Sequence, residues 1–88
     1  MTRRNTWNLV LALELEQWEA KPWPQLLHDL VDGNIAYEVT HDSKTYQVEA
    51  DLVEDTPDFV HVCVAVDDGS LPESISPAFK SFVRKKSN

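Results

Sequence analysis

The run Ile35-Ala36-Tyr37-Glu38-Val39-Thr40, the link His41-Asp42-Ser43-Lys44 and the answering run Tyr46-Gln47-Val48-Glu49-Ala50-Asp51-Leu52-Val53 decide the fold. Ile35, Tyr37 and Val39 alternate with Ala36, Glu38 and Thr40, and Tyr46, Val48, Ala50 and Leu52 alternate with Gln47, Glu49, Asp51 and Val53. A period of two is the mark of a half-buried strand, whose successive side chains point to opposite faces. With Asp42-Ser43 as a two-residue turn, Val39 faces Tyr46, Tyr37 faces Val48 and Ile35 faces Ala50, so every large apolar residue falls on one face.

Downstream, Phe59-Val60-His61-Val62-Cys63-Val64-Ala65-Val66 reads as a third strand. With Asp55-Thr56-Pro57 closing the intervening loop, Leu52 faces Val60, Ala50 faces Val62 and Val48 faces Val64. Two loops that yield the same apolar face predict an antiparallel meander. Asp67-Asp68-Gly69-Ser70 then reads as a turn. Ser76-Pro77 resembles a helix cap with proline in the first turn, and Ile75, Phe79, Phe82 and Val83 have helical spacing. A short last strand over 80–84 is the other reading of that segment.

Upstream, Trp7, Leu9, Leu11, Leu13 and Leu15 alternate as a strand would, yet the composition from Thr6 to Ala20 is rich in Leu, Ala, Glu and Gln. Trp7, Leu11, Leu15 and Trp18 also form a helical stripe, and helix is preferred on composition. Lys21-Pro22-Trp23-Pro24 interrupts this element, because two prolines remove two backbone donors. A second helix is predicted to follow, with Leu26, Leu27, Leu30 and Val31 inside, Gln25, His28, Asp29 and Asp32 outside, and Gly33 ending it in a left-handed conformation. The expected architecture is α+β: two N-terminal helices on one face of a three-stranded antiparallel meander, with a short C-terminal helix or strand.

The chain has 88 residues, two glycines and no internal repeat, which is read as one domain over 1–88. A chain of this size buries about 60–65% of its unfolded surface, so most large apolar side chains are committed to the core and a deep pocket would compete with it. Met1-Thr2-Arg3-Arg4 and the apolar stretch after it imitate a secretion signal, but Glu14 and Glu16 cut that stretch short. It is read as part of the fold, and no run approaches the roughly 18 residues of a membrane span. Cys63 is the only cysteine, so no intrachain disulfide forms, which suits a cytoplasmic protein.

Formal net charge is −7, and its distribution is uneven. Between Asn5 and Phe79, two cations, Lys21 and Lys44, stand against all 15 acids, net −13. Arg3, Arg4, Lys80, Arg84, Lys85 and Lys86 place six positive charges toward the ends, and 1–5 and 85–88 are expected to be disordered basic tails. Such a body repels phosphate backbones and anionic headgroups, so neither nucleic acid nor a membrane is expected as a partner. A basic protein surface is favoured.

Three clusters have chemical potential. The expected register sets Asp51 beside His61 and Glu49 beside Cys63; alternate residues share a face, so Glu49, Asp51, His61 and Cys63 form a candidate site for a divalent transition metal. The bland alternative is a polar solvent face with Cys63 as a small filler. At one end of the sheet His41, Asp42 and Lys44 approach Asp67 and Asp68, a set suited to acid–base work or simply to turns with a Lys44–Asp68 ion pair. Glu54-Asp55-Thr56-Pro57-Asp58 lacks the ligand spacing of a calcium loop and reads as a hairpin tip. Trp23, between two prolines, is the tryptophan most suited to remain exposed as a partner anchor. No serine sits in a nucleophile turn and no phosphate-binding glycine loop is present, so no catalytic residue and no cofactor are assigned.

The stretches Tyr46-Gln47-Val48-Glu49, Val64-Ala65-Val66-Asp67-Asp68-Gly69 and Ser81-Phe82-Val83 together resemble small bacterial domains of uncharacterised function, over roughly residues 45–83. The resemblance implies a bacterial source and carries no activity. In that group glycine usually stands where Ser43 is here, and the Ser-Phe-Val segment reads as a strand. The functional expectation is a non-catalytic interaction or regulatory domain, of the immunity or antitoxin kind. It would bind a basic protein through Trp23, Glu38, Glu49, Asp51 and His61, with homodimerisation through a sheet edge as a further partner mode. The alternative is a small metal-binding protein or metal-dependent enzyme using the His61/Cys63 face or the His41/Asp67/Asp68 end.

Overall fold

A computed structural model describes residues 3–69 and 78–86. The order is α1 (Arg3–Glu19), α2 (Trp23–Asp29), β1 (Asn34–His41), β2 (Lys44–Asp55), β3 (Phe59–Asp67) and β4 (Ala78–Lys85). The strands form one antiparallel sheet in the order β1-β2-β3-β4, and both helices lie on one face of it. The fold is thus α+β with four strands. The C-terminal segment takes the strand reading and extends it in both directions, while Ser76-Pro77, read above as a helix cap, lies outside the described residues.

α1 is a helix because its 3.6-residue stripe buries more than its alternation can. Trp7, Val10, Leu11, Leu15 and Trp18 are in the core, and Leu9 and Leu13, which a strand would have placed beside them, are exposed. α2 has Pro22 at its N-cap and Pro24 in its first turn, where missing N–H groups cost least. It ends earlier than the sequence predicts. Leu30, at φ −108°, terminates it, a turn carries the chain to Gly33 at φ +95°, and Val31 is left 78% exposed rather than buried. Leu26 and Leu30 are fully buried and Leu27 partly so.

The β1–β2 register is the predicted one: Val39 faces Tyr46, Tyr37 faces Val48 and Ile35 faces Ala50. Asp42 (φ +50°) and Ser43 (φ +65°) form the two-residue turn whose twist matches the strands it joins. The β2–β3 register differs from the expected one by two residues. Leu52 faces Val62, Ala50 faces Val64 and Val48 faces Val66. The link is Thr56-Pro57-Asp58, one residue later than the expected Asp55-Thr56-Pro57: Thr56 donates its backbone N–H to the Phe59 carbonyl at 2.9 Å, and Thr56 Oγ1 accepts from the N–H groups of Asp58 and Phe59. A bulge between Leu52 and Glu54 absorbs one residue, so that Glu54 faces His61 and Asp55 faces Val60. Because the slip is even, the apolar face survives it. Tyr46, Val48, Ala50, Val60, Val62, Val64, Val66 and Ala78 are buried against the helices.

The ends differ from the expected tails. Arg3 to Asn5 belong to α1, Lys85 closes β4, and Lys86 donates its backbone N–H to the Asp58 carbonyl at 2.8 Å.

Candidate functional site

The helices cover one face of the sheet, and among the described residues no element covers the other; this bare face is the candidate site. Strand alternation puts Ala36, Glu38, Gln47, Glu49, Asp51, His61, Cys63, Ala65, Asp67, Phe79, Ser81 and Val83 there, opposite the buried row. The cross-strand rows show how they sort. One row runs Ala36, Glu49, Ala65, Phe79; the next runs Asn34, Asp51, Cys63, Ser81; a third runs Glu54, His61, Val83. Carboxylates therefore collect on β1 and β2, where Glu38, Glu49 and Glu54 are exposed and Asp51 is half-buried. β3 contributes the mixed set His61, Cys63, Ala65 and Asp67, and β4 brings exposed apolar groups, Phe79 at 65% and Val83 at 55%, together with exposed Lys85 opposite Phe59. A shallow depression of about 330 Å³ lies between Val83, Phe59, the hairpin tip at Pro57 and Asp58, and the cations Lys85 and Lys86. Another of about 170 Å³ lies between Ala36, Gln47, Glu49, Ala65 and Asp67 on the acidic half.

The two-residue slip redraws the first predicted cluster. Asp51 sits beside Cys63 rather than His61, Glu49 beside Ala65 rather than Cys63, and His61 takes Glu54 as its cross-strand neighbour. The Cys63 thiol is pushed up by burial and, secondarily, by the negative charges of Asp51 and Glu49. That disfavours the thiolate which metal binding or nucleophilic attack requires. Among the described residues no group of three His, Cys, Asp or Glu side chains is arranged to hold a metal ion.

At the opposite end Lys44 Nζ meets Asp68 at 3.0 Å, as the turn reading predicts. His41 Nε2 lies 3.5 Å from Asp42, and Asp67 accepts the Gly69 N–H at 2.7 Å. These carboxylates are engaged in closing turns. In the acidic loop Asp55 takes Lys86 Nζ at 2.6 Å, so the segment is a tied hairpin tip. Trp23 is only partly exposed: its indole packs on the core and carries the Lys86 ammonium 5.0 Å above its ring.

One polar cluster escapes the sequence reading. Glu14, 8% exposed, lies on the buried side of α1 and accepts the Tyr37 hydroxyl hydrogen at 2.6 Å; the same hydroxyl oxygen accepts the Trp18 indole N–H at 2.9 Å. The signal was present, since Trp7, Leu11, Glu14 and Trp18 follow 4-3-4 spacing and put the carboxylate in the apolar stripe. Burial, reinforced by the bond to Glu14, raises the Tyr37 hydroxyl well above the ordinary phenol range. This cluster joins α1 to β1 through the interior and is structural.

No family model matches the chain, and neither a curated protein nor a solved structure matches it significantly. No helix among the described residues is long and apolar enough to cross a membrane.

Proposed function

We propose that this chain is a small non-catalytic protein-interaction domain, of the regulatory or immunity kind, whose bare sheet face engages a basic protein surface. The observation that carries the reading is the composition of that face, with exposed carboxylates of Glu38, Glu49 and Glu54 on β1 and β2 and, across β3, exposed Phe79 and Val83 on β4. Apolar surface supplies affinity by leaving water, and charge supplies orientation and rate.

Capture from a lysate of the source organism at low and moderate salt, with the parent chain and a Glu49→Lys/Asp51→Lys variant side by side, tests the reading. The parent retains a basic protein at low salt, retention falls as salt rises, and the double variant loses it. Retention unchanged by the charge reversal would sink the proposal.

A further inference from the structure

We infer that β1 is the docking edge, and that the partner element it accepts is an extended cationic segment in which basic and apolar residues alternate. The inference rests on the proposed use of the bare face and adds the partner's form and its point of entry.

In a two-residue hairpin the residues flanking the turn exchange both ladder bonds, and bonded and non-bonded pairs then alternate. His41 and Lys44 flank the turn, so the odd residues Val39, Tyr37 and Ile35 also bond to β2. The Leu52 N–H, donated to the Gly33 carbonyl at 2.8 Å, continues the same parity one step past the strand. The N–H and C=O groups of Ala36, Glu38 and Thr40 consequently point away from β2, and no described strand lies beyond them. An added strand satisfies these groups directly.

Charge distinguishes this edge from the other. β4, the opposite edge, carries Lys80, Arg84 and Lys85, the kind of residue that guards an edge against strand addition. β1 has Glu38 on its bare-face side and Glu49 and Asp51 on the neighbouring strand. Basic side chains at alternate positions of an added strand would reach these carboxylates. The intervening positions would point to the helix side, where Ile35 is 39% exposed and Val39 only partly covered, because α1 lies over β3 and β4. Alternation of basic and apolar residues is therefore what this edge selects.

The probe is a heptapeptide of alternating lysine and valine, compared with a glutamate–valine counterpart and with a lysine–valine peptide of the same composition in blocks. Hydrogen exchange of the full chain followed by NMR reads the edge directly. With the alternating cationic probe the Ala36, Glu38 and Thr40 amides slow by about tenfold or more, while the Ile35, Tyr37 and Val39 amides, already bonded to β2, change little. The two control peptides leave the edge unchanged. Glu38→Lys weakens the probe about tenfold, as does Ala36→Pro, which removes an outward-pointing donor and no ladder bond; if the proline variant does not fold, Glu38→Lys alone decides. Probe-induced shifts at Glu49 and Asp51 without slowing at Ala36, Glu38 and Thr40 would overturn strand addition and leave the acidic face as the binding surface. Absence of binding overturns it too, as does slowing of these amides in the free chain that grows with protein concentration, which would make a second copy the occupant.

Discussion

At the scale of single residues, the Glu14–Tyr37–Trp18 cluster is a sensitive polar point of the interior. Tyr37→Phe keeps the ring and removes only the hydroxyl, but it strips the buried Glu14 carboxylate of the donor at 2.6 Å and the Trp18 indole of its acceptor. A buried polar group left unmet costs about 1–3 kcal/mol, so urea denaturation should show a loss in that range. Glu14→Gln, whose amide oxygen can still accept the hydroxyl hydrogen, should cost less; a Tyr37→Phe variant as stable as the parent would show the cluster to be passive. The same hydroxyl sets a pH dependence. Its pKa in the fold is raised above the unfolded phenol value of about 10. The stabilisation is therefore complete below about pH 10 and declines above it, as the unfolded chain releases a proton that the folded chain retains. Thermal melts stepped through alkaline pH should fall more gently in Tyr37→Phe than in the parent. Asp29 has the opposite sign: its hydrogen bond from the Lys21 ammonium holds its carboxyl below the usual range, so its contribution is present above about pH 4 and fades on acidification. The helical stripe was legible in the sequence and the cluster was not: the 4-3-4 spacing sets Glu14 among apolar positions, but spacing alone does not say that a glutamate there has found a partner on a strand 23 residues away.

At the scale of elements, the hairpin β1–β2 was legible because two constraints agreed: alternation fixed the faces and a two-residue turn fixed the count. The β2–β3 pair was legible only as to faces. Alternation distinguishes odd slips from even ones and nothing finer, so the expected Leu52–Val60 pairing and the observed Leu52–Val62 pairing satisfy it equally. The deciding information lay in Thr56, whose hydroxyl bridges Asp58 and Phe59, and in the bulge near Val53, which no periodicity announces. The consequence reached the proposed site, because the neighbour of His61 changed from Asp51 to Glu54 while the acidic half of the face stayed where alternation had put it. The β1–β2 turn also contains an improvable position. Ser43 is held at φ +65°, where a Cβ is strained and glycine is not. Ser43→Gly should stabilise the domain by about 0.5–1 kcal/mol with an unchanged denaturant slope, measured by urea denaturation. A destabilised variant would mean that the Ser43 side chain makes an offsetting contact.

At the scale of the whole molecule, the cations that cluster near the C-terminus in sequence are woven into the sheet edge and are not tails. Lys86 is the clearest case. It ties the C-terminal strand to two parts of the chain that are remote in sequence: its backbone N–H meets the hairpin tip at Asp58 and its ammonium pairs with Asp55 of the same tip at 2.6 Å, while the same ammonium stands 5.0 Å from the Trp23 ring centre. Sequence could not foresee this, since a basic residue in the run Arg84-Lys85-Lys86 reads as solvated until a last strand is known to deliver it beside the β2–β3 turn. The side-chain contribution is limited by solvent. Asp55 is 43% exposed, and a pair of this kind is worth under about 1 kcal/mol, with a cation over an indole adding about 0.5–1 kcal/mol. Lys86→Met keeps the aliphatic stem over Trp23 and the backbone bond while deleting the charge. It should lower stability by about 1 kcal/mol at low ionic strength, and the difference between variant and parent should shrink as salt screens the Asp55 pair. Tryptophan fluorescence through a urea titration, at low and high salt, reports both quantities. Equal midpoints for variant and parent at low salt would mean that the backbone bond to Asp58 alone holds the C-terminal segment against the hairpin.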